Sequence, residues 1–520
     1  MVKLKFCAVL LALVFSACVG DLAPPADISE RPTALVGTPK TWRPLTNPAP
    51  FSANAPVLAN DGTVLVQAIE SSQWWRLTPS ATGSYVDGTW TQLPSGPSGY
   101  GPLYFAAAIL PDGRFIVEGG EYNVSGPAVR TTRGAIYSPT KDSWTSVTPP
   151  AGWATIGDAS SMVLADGRFL LSDCCTDMLA ILDPVSMTWT QVGSDKQDSN
   201  NEESWALLPD DTILTIDANN PGKPTESEIL DPSTMRWTSG GSTIVTISDT
   251  NPDNSGSHEQ GPLMLLPSGV VLAIGGTGNT ASYDTSTKTW KAGPNVPSVG
   301  GALTSADGAG AVLPNGKALI AVSPGVFQQG THFFEFDGTT YVEVGAMANS
   351  ATTSSYQYTF LVLPTGEIMG TDQFEIEIYT PSAGVYPNSG PAVTSAPRPV
   401  TADDPDPIEP EKESKALALT TLHPGQTYKV TGTQLAGLTQ GAYYGDDAQA
   451  FTNYPMVRVT YQNSPNVKYF VSHHLSSYSV RPGTVATTLF DVPADAAPGL
   501  ASLQLVANGV ASPPVLVNIK

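Results

Sequence analysis

The chain has 520 residues and a formal net charge of −22, from 47 acidic and 25 basic side chains. A charge of this size and sign repels phosphate backbones and anionic lipid surfaces, so nucleic acid is excluded as an expected partner. The 48 glycines and 46 prolines follow no collagen-like period and predict a chain with many turns.

The N-terminus has the pattern of an export signal. Two lysines precede an apolar run that ends at Phe15 and is too short to span a bilayer, so residues 1–17 are predicted to be a cleaved signal peptide. The segment Phe15-Ser-Ala-Cys18 resembles the lipobox of bacterial lipoproteins. The resemblance implies lipidation of Cys18, a tether over residues 18–39 and, with Val19 following, an outer-membrane location in the cell envelope. The lipid would be the only membrane contact. Ordinary secretion is the alternative.

A strand-turn-strand phrase then recurs seven times. Each copy places two apolar strands around a tight turn, as in Ala108-Ile-Leu-Pro-Asp-Gly-Arg-Phe-Ile-Val117. Successive turn centres lie 44 to 58 residues apart, which matches the period of kelch blades. The turn centres are Gly62, Gly113, Gly167, Asp211, Gly269, Gly316 and Gly366.

A single sheet of this kind cannot bury both of its faces, so the copies must stack around an axis. The predicted fold class is all-β, a seven-bladed kelch-type β-propeller over residues 40–390. Two alternatives exist for ring closure: the strand around Trp42 completes the last blade, or Tyr386 takes that position. Aromatic residues near the outer strand ends are predicted to pack between blades and not to bind a ligand.

The repeat stops after residue 390. Residues 391–414 are polar and proline-rich and are predicted to be a linker. Residues 415–520 contain short alternating strands without a helical period, which predicts an immunoglobulin-like β-sandwich. In the propeller, the adjacent Cys174 and Cys175 either form a vicinal disulfide or remain two thiols.

Parts of the C-terminal region resemble a known enzyme family. The segments 437–449, Phe451-Thr-Asn-Tyr-Pro-Met-Val-Arg458 and Val506-Ala-Asn-Gly-Val-Ala-Ser-Pro-Pro514 are similar to the C-terminal domain of the galactose oxidase and glyoxal oxidase family of copper radical oxidases. The resemblance implies oxidation of alcohols or aldehydes with release of hydrogen peroxide. The family uses one copper ion bound by two His and two Tyr, with one Tyr cross-linked to a Cys.

Most residues of that copper site are replaced. The resemblance places His473 on one copper-binding His and Tyr356 on the axial Tyr. Gln357 stands at the second His, Tyr104 at the cross-linking Cys, and Asp158 at its Tyr partner. No cofactor is therefore predicted, and copper is kept only in the alternative of a degenerate oxidase.

Counting back from the seven turns also predicts a polar ring at one mouth of the central channel. If the seven inner strands are equivalent, the residues nine positions before each turn meet there, where propellers bind ligands. The ring consists of Ala53, Tyr104, Asp158, Glu202, Gln260, Asp307 and Gln357, with Glu203 and Glu259 beside it. Three interpretations are open: the ring holds calcium, hydrogen-bonds a sugar that stacks on Tyr104 or Tyr356, or solvates a water-filled channel.

The leading hypothesis is a non-catalytic surface module that binds a carbohydrate or a cell-surface protein. An enzyme is the alternative, either the degenerate copper oxidase or a carboxylate-based hydrolase that uses Asp158, Glu202 or Asp307. A purely structural envelope protein is the third class.

Overall fold

The computed structural model describes residues 38–193, 195–251, 255–401, 404, 408–409 and 419–520. These residues form β-strands and turns, with one short 3₁₀ helix at Ser355–Gln357. The helices found in this part of the chain include none long and apolar enough to cross a membrane. The signal peptide (1–17), the lipidation of Cys18 and the tether up to residue 37 lie outside the described residues and stay predictions.

Six four-stranded antiparallel sheets and four strands of a six-stranded sheet form the seven blades of the propeller. The first strand and those of blades 1 to 3 are β1 (Thr41–Pro44), β2 (Ala53–Leu58), β3 (Val64–Ala68), β4 (Trp74–Thr78), β5 (Thr89–Gln92), β6 (Pro102–Leu103), β7 (Ala106–Ile109), β8 (Phe115–Glu118), β9 (Tyr122–Asn123), β10 (Gly134–Ser138), β11 (Ser143–Val147), β12 (Ser161–Val163), β13 (Phe169–Ser172), β14 (Leu179–Asp183) and β15 (Thr188–Val192). Blades 4 to 7 contain β16 (Ala206–Leu207), β17 (Ile213–Ile216), β18 (Glu226–Asp231), β19 (Arg236–Ser242), β20 (Gln260–Leu265), β21 (Val270–Gly275), β22 (Thr280–Asp284), β23 (Thr289–Ala292), β24 (Gly310–Val312), β25 (Ala318–Val322), β26 (His332–Phe336), β27 (Tyr341–Glu343), β28 (Thr359–Val362), β29 (Ile368–Thr371) and β30 (Ile376–Thr380).

In blades 1 to 6 the strands run outward in chain order. Blades 1 and 3 to 6 consist of β2–β5, β12–β15, β16–β19, β20–β23 and β24–β27, and blade 2 consists of β7, β8, β10 and β11, with β6 and β9 as a separate ribbon. Blade 7 consists of β28–β30 and is completed by β1, in which Trp42 lies opposite Tyr379. Trp42 also packs against Phe333 of blade 6, so the N-terminal strand closes the ring.

The recurring turns have a conformational reason. The six turn glycines have φ between +80° and +87°, and Asp211 takes their place in blade 4 with φ of +68°. Glycine is favoured there because a side chain is strained in this left-handed region. The predicted tight turns therefore lie at the predicted positions.

The outer tryptophans join neighbouring blades, as predicted for packing residues. Trp90, Trp144 and Trp189 each lie on the outermost strand of a blade. The indole N–H of each donates to a main-chain carbonyl just beyond the outermost strand of the preceding blade, at 2.8 to 3.1 Å. Burying a large ring and satisfying its polar edge in one contact stabilises the stacked arrangement.

The C-terminal region is a two-sheet sandwich with a long inserted hairpin. Its strands are β31 (Ala392–Val393), β32 (Arg398–Pro399), β33 (Thr420–Leu422), β34 (Thr427–Thr433), β35 (Gly441–Tyr443), β36 (Ala450–Phe451), β37 (Met456–Tyr461), β38 (Val467–Phe470), β39 (Ser472–His473), β40 (Val485–Asp491), β41 (Gly499–Ala507), β42 (Val510–Ala511) and β43 (Val515–Ile519). One sheet contains β31, β32, β34, β39 and β40, and the other contains β33, β37, β38 and β41–β43. Phe470 and Phe490 pack between them. Because β31 and β32 pair with β34, the sandwich begins inside the segment predicted as the linker 391–414.

The hairpin formed by β35, β36 and the residues between them, Gly441–Phe451, enters the channel of the propeller; we call it the channel hairpin. Strand β35 pairs with β24, the innermost strand of blade 6. The hairpin also contacts the inner strands of blades 1, 2, 5 and 7, and the neighbouring Gln440 accepts a hydrogen bond from the backbone of blade 4. A segment of the sandwich therefore fills the centre of the ring.

The sandwich covers the face of the propeller that carries the tight turns, which we call the turn face. Tyr469 lies over Gly62, and Arg481 forms an ion pair of 2.9 Å with Asp211. The residues nine positions before each turn lie at the opposite strand ends. We call that side the mouth face, and the tip of the channel hairpin reaches it.

Candidate functional site

The loops that lead into the inner strands form the mouth face. Tyr104, Glu202 and Asp307 precede the inner strands of three blades, with φ of +53°, +58° and +47°. Side chains other than glycine rarely adopt this left-handed conformation, which costs on the order of 1 kcal/mol for each residue. Three ring positions thus carry backbone strain, and strain of this kind concentrates at functional sites.

A pocket of about 570 Å³ opens at the mouth face. Among the described residues that line it there is no Lys, Arg, His or Cys. The lining residues are Glu70, Leu103, Tyr104, Glu121, Tyr122, Asp158, Glu202, Glu259, Asp307, Phe327, Tyr356, Gln373, Asp446 and Asp447. The pocket is strongly acidic, and its remaining surface is largely aromatic.

The channel hairpin supplies the floor of this pocket. The Gln449 side chain holds the hairpin tip, because its Oε1 accepts from the Tyr444 backbone and its Nε2 donates to the carbonyl of Asp446. The Ala448 N–H donates to the carbonyl of Phe105 in blade 2. Asp446 and Asp447 are consequently almost fully buried, at 2% and 1% exposure.

Six carboxylates meet at the floor. We call them the mouth cluster: Asp158, Glu202, Glu259, Asp307, Asp446 and Asp447. One oxygen each from Asp158, Glu202 and Asp446 lie within 4.8 Å of one another, and the same holds for Glu202, Glu259 and Asp307. Blades 3 to 6 and the sandwich all contribute to this one group of charges.

Burial raises the pKa of every member of the mouth cluster. Removal from water is the largest cause in each case, and repulsion among the neighbouring carboxylates adds to it for Glu202, Glu259, Asp446 and Asp447. Burial raises the pKa of Asp307 to about 7. Arg130 partly opposes the effect of burial on the pKa of Asp158. The folded protein therefore retains protons here that free carboxylates would release.

Several buried oxygens of the cluster have no hydrogen-bond partner among the described residues. They are Asp158 Oδ1, Glu259 Oε2, Asp307 Oδ1, Asp446 Oδ2 and Asp447 Oδ2. A buried polar atom without a partner costs about 1–3 kcal/mol, and a charged one costs more. These oxygens are therefore available to a proton, a hydrogen-bond donor or a cation.

An aromatic wall stands beside the carboxylates. The Tyr104 ring lies 6.2 Å from Tyr122 and 6.5 Å from Tyr356, and Phe327 packs edge-on against Tyr356 at 5.2 Å. Phe327 is 45% exposed. The Gln373 side chain donates a hydrogen bond of 3.0 Å to the Tyr104 hydroxyl. The wall offers flat apolar surface with polar edges.

The structure brings six of the predicted residues to the pocket, whereas the other residues of the predicted ring and His473 do not line it. Tyr104, Asp158, Glu202, Glu259, Asp307 and Tyr356 line it. Gln357 instead accepts a hydrogen bond from the Ser354 backbone at the 3₁₀ helix. Gln260 is buried in blade 5, where it donates to the carbonyl of Ile216. Gln260 and Gln357 are thus corrections to the predicted ring.

Glu203 is also a correction. Its side chain points away from its neighbour Glu202 and forms an ion pair of 2.8 Å with Lys196. We call the group that surrounds this lysine the blade-4 cluster: Lys196, Asp198, Glu203, Asp217 and Glu228. Glu203 is fully buried inside this cluster and has no access to the mouth.

The resemblance implies that His473 and Tyr356 lie together at one copper site, but the structure places them on opposite faces of the propeller. His473 lies on the turn face, in strand β39, where its Nε2 is 3.4 Å from Asp491. Its neighbour His474 donates its backbone N–H to the carbonyl of Pro111, next to a turn of blade 2. The segment that reaches the mouth is the channel hairpin, so the residues around His473 cannot contribute to the pocket.

Sequence reasoning missed the two hairpin aspartates and one wall of the pocket. Asp446 and Asp447 lie in the segment 437–449, whose resemblance was noted without assigning these residues a role. Their location depends on the pairing of β35 with β24, which lie far apart in the chain. Glu121, Tyr122, Phe327 and Gln373 come from loops outside the ring register.

The residues at the mouth do not fit the copper site that the resemblance implies. Tyr104 and Tyr356 lie side by side, but no imidazole or thiol is found among the lining residues that the structure describes. Cys174 and Cys175 are disulfide-bonded to each other, with Cys174 lying against Gly157. An oxygen-only donor set suits hard cations and lacks the nitrogen ligands that copper favours.

No protein-family model matches the chain, and no curated protein sequence matches it. A novel fungal alcohol oxidase of the AA5 family, solved in complex with copper, is 14% identical, with 93% of this chain and 100% of that chain covered and a TM-score of 0.49. Virginiamycin B lyase from Staphylococcus aureus is 10% identical, with 65% and 97% covered and a TM-score of 0.43. YCF48 bound to D1 peptide is 12% identical, with 67% and 99% covered and a TM-score of 0.43. At these values the similarity concerns the fold alone, and strand pairing itself establishes the propeller.

Proposed function

We propose that the chain is a non-catalytic binding module that takes an uncharged, hydroxyl-rich ligand, a glycan, in the pocket at the mouth face. The observation that carries the proposal is the aromatic wall of Tyr104, Tyr122 and Tyr356 beside the carboxylates of the mouth cluster. Export and lipidation at Cys18 belong to the same proposal, because they would place the pocket outside the cell.

The chemistry of the pocket favours a sugar over other ligand classes. The apolar face of a sugar ring stacks on aromatic side chains, while its hydroxyls donate to carboxylate and amide oxygens. Anionic ligands are disfavoured, since the carboxylates of the pocket repel them. The volume of about 570 Å³ is in the range of small-molecule sites.

Glycan-array binding of the purified protein tests the proposal. Phe327→Ala and Tyr122→Ala remove wall surface, and each is expected to weaken binding of any glycan hit about tenfold, which corresponds to the loss of about one stacking contact. Phe374→Ala is the matched control, because Phe374 is exposed to a similar extent, at 53%, and does not line the pocket. An array without hits, or equal losses in the wall and control variants, would contradict the proposal.

One observation favours a second candidate, carboxylate-based hydrolysis of the bound glycan. Burial raises the pKa of Asp307 to about 7, a value suited to a general acid, and ionisable neighbours lie beside it. Release of reducing ends from a glycan hit, abolished in Asp307→Asn, would favour this candidate. Binding without release would favour the module.

A further inference from the structure

We propose that the mouth cluster is a binding site for a divalent hard cation, calcium, with Asp158, Glu202 and Asp446 as ligands. The cation would join blades 3 and 4 of the propeller to the channel hairpin of the sandwich. The inference goes beyond the proposed function, because cation binding does not require a glycan.

The spacing of the oxygens fits one ion. Calcium binds oxygen ligands at 2.3–2.6 Å, so two ligands on opposite sides of the ion are about 5 Å apart. One oxygen from each of Asp158, Glu202 and Asp446 lies within 4.8 Å of the other two. The three oxygens are therefore close enough to one another to bind one common ion.

The second observation is the state of the buried aspartates. Asp446 is 2% exposed, and its Oδ2 has no hydrogen-bond partner among the described residues, while its Oδ1 accepts from the Asp447 backbone. Asp158 Oδ1, in a side chain that is 8% exposed, is also unpartnered. Two separate elements thus bring buried aspartates with unpartnered oxygens to one pocket.

A comparison of the charges in the two clusters also favours a bound cation at the mouth. The blade-4 cluster buries a comparable set of carboxylates around the ammonium group of Lys196. In the mouth cluster no described side chain supplies such a cation at the pocket surface. Burying unpaired carboxylates is expensive, so this cluster must either retain protons or take a cation from solution.

The ligand type selects the metal. Carboxylate oxygens suit calcium, magnesium and manganese, whereas copper and zinc favour imidazole and thiolate. Blades and hairpin contribute ligands from several directions, and calcium accepts 6–8 oxygens in flexible geometry, whereas magnesium demands a near-ideal octahedron. Glu259, Asp307 and Asp447 lie next to the three ligands and complete an acidic surrounding for a large ion.

Calorimetric titration of calcium chloride into the chelator-treated full chain at pH 7.5 tests the inference. We expect one site in the wild type, a rise in Tm on adding calcium, and weaker binding of magnesium. Affinity should fall as the pH is lowered from 8 to 5.5, because protons compete for the same carboxylates. Luminescence of bound Tb³⁺ excited through nearby tyrosines provides a second measurement.

Three variants complete the experiment. Asp446→Asn and Asp158→Asn should each weaken calcium binding at least roughly tenfold. Asp217→Asn makes the same change in the blade-4 cluster and should leave the affinity unchanged. The Tm of each variant is compared with the Tm of the wild type in the presence of chelator, so that a loss of folding is distinguished from a loss of calcium binding.

The absence of binding to the wild type at millimolar calcium would overturn the inference, and so would unchanged affinity in both ligand variants. Stronger binding of magnesium than of calcium would overturn the assignment of the metal. An empty glycan array together with calcium binding would leave this inference standing and remove only the proposed function.

Discussion

Two adjacent residues of blade 4 belong to two different groups of buried carboxylates. Glu202 belongs to the mouth cluster, and Glu203 belongs to the blade-4 cluster. The blade-4 cluster contains Lys196, whereas no basic side chain is found among the described residues that line the pocket of the mouth cluster. The same fold therefore buries one set of negative charges around its own counter-charge and leaves the other set open to a ligand.

The difference lies in the counter-charge of the two clusters. Burial lowers the pKa of Lys196, but Glu203 and Asp198 outweigh this effect and hold the pKa above its usual range. The lysine thus remains charged and gives the cluster a counter-charge, although both carboxylate oxygens of Asp217 lack a hydrogen-bond partner among the described residues. Burial also raises the pKa of Glu203, Asp217 and Glu228, where Lys196 partly opposes it. In the mouth cluster Arg130 partly opposes the raised pKa of Asp158, and burial still raises the pKa of every member.

The largest expected effect comes from removing the counter-charge of the blade-4 cluster. Lys196→Met leaves buried carboxylates without a cation and should lower the free energy of unfolding by about 3–5 kcal/mol. Thermal and urea denaturation followed by circular dichroism measure the loss. Lys288→Met is the control: Lys288 is 63% exposed and pairs with Asp210 at the surface, so its loss should cost under about 1 kcal/mol. Equal losses in the two variants would contradict the stabilising role of Lys196 as a buried counter-charge.

A change of opposite sign is expected at the two adjacent glutamates. Glu203→Gln weakens the ion pair with Lys196 and the hydrogen bond from Thr215, so it should destabilise the protein by about 2 kcal/mol. Glu202→Gln removes one of several repelling carboxylates and should raise Tm when a chelator is present. Both are measured in the same buffer by differential scanning calorimetry. Destabilisation of similar size at both positions would show that the two clusters do not differ.

A smaller effect concerns pH. The folded-state pKa of Asp307 is raised from its ordinary value of 3.8 to about 7, so the native protein holds a proton that the unfolded chain releases between these values. Wild-type stability is then lost as the pH rises from about 4 to 7, and it levels off above that. Asp307→Asn does not titrate. In chelator its advantage over the wild type should grow by about 1 kcal/mol between pH 5 and pH 6.

Denaturation curves of the two proteins at a series of pH values measure this difference. Asn tolerates the left-handed backbone found at Asp307, so the variant keeps the local conformation. A stability difference independent of pH would mean that Asp307 is ionised in the native state. Calcium should reduce the difference, because a bound cation stabilises the ionised cluster.

Much of the fold could be predicted from the sequence. Turn glycines at a nearly constant period predict the seven strand pairs, because few other residues tolerate the backbone of those turns. The strand that completes blade 7 could not be chosen, since Trp42 and Tyr386 are both aromatic residues at suitable positions. Packing decides it: Trp42 fills the space between Phe333 and Tyr379.

The site could be predicted only in part. Counting nine residues back from each turn finds Tyr104, Asp158, Glu202 and Asp307, because equivalent strands place equivalent positions at one face. Counting fails at Gln260, where the register of β20 and β21 shifts near the strand start. It cannot say that Glu203 turns away to meet Lys196, because that contact depends on a loop outside the repeat.

The repeated local structure of strand, tight turn and strand could be predicted from the amino-acid pattern alone, and with it the positions of the mouth loops. These features depend on neighbours in the chain and on backbone conformation. The presence of Asp446 and Asp447 at the site, and the absence of His473 from it, follow from long-range packing. The channel hairpin reaches the mouth by pairing with blade 6, more than one hundred residues away in the chain, and no local pattern encodes such a contact.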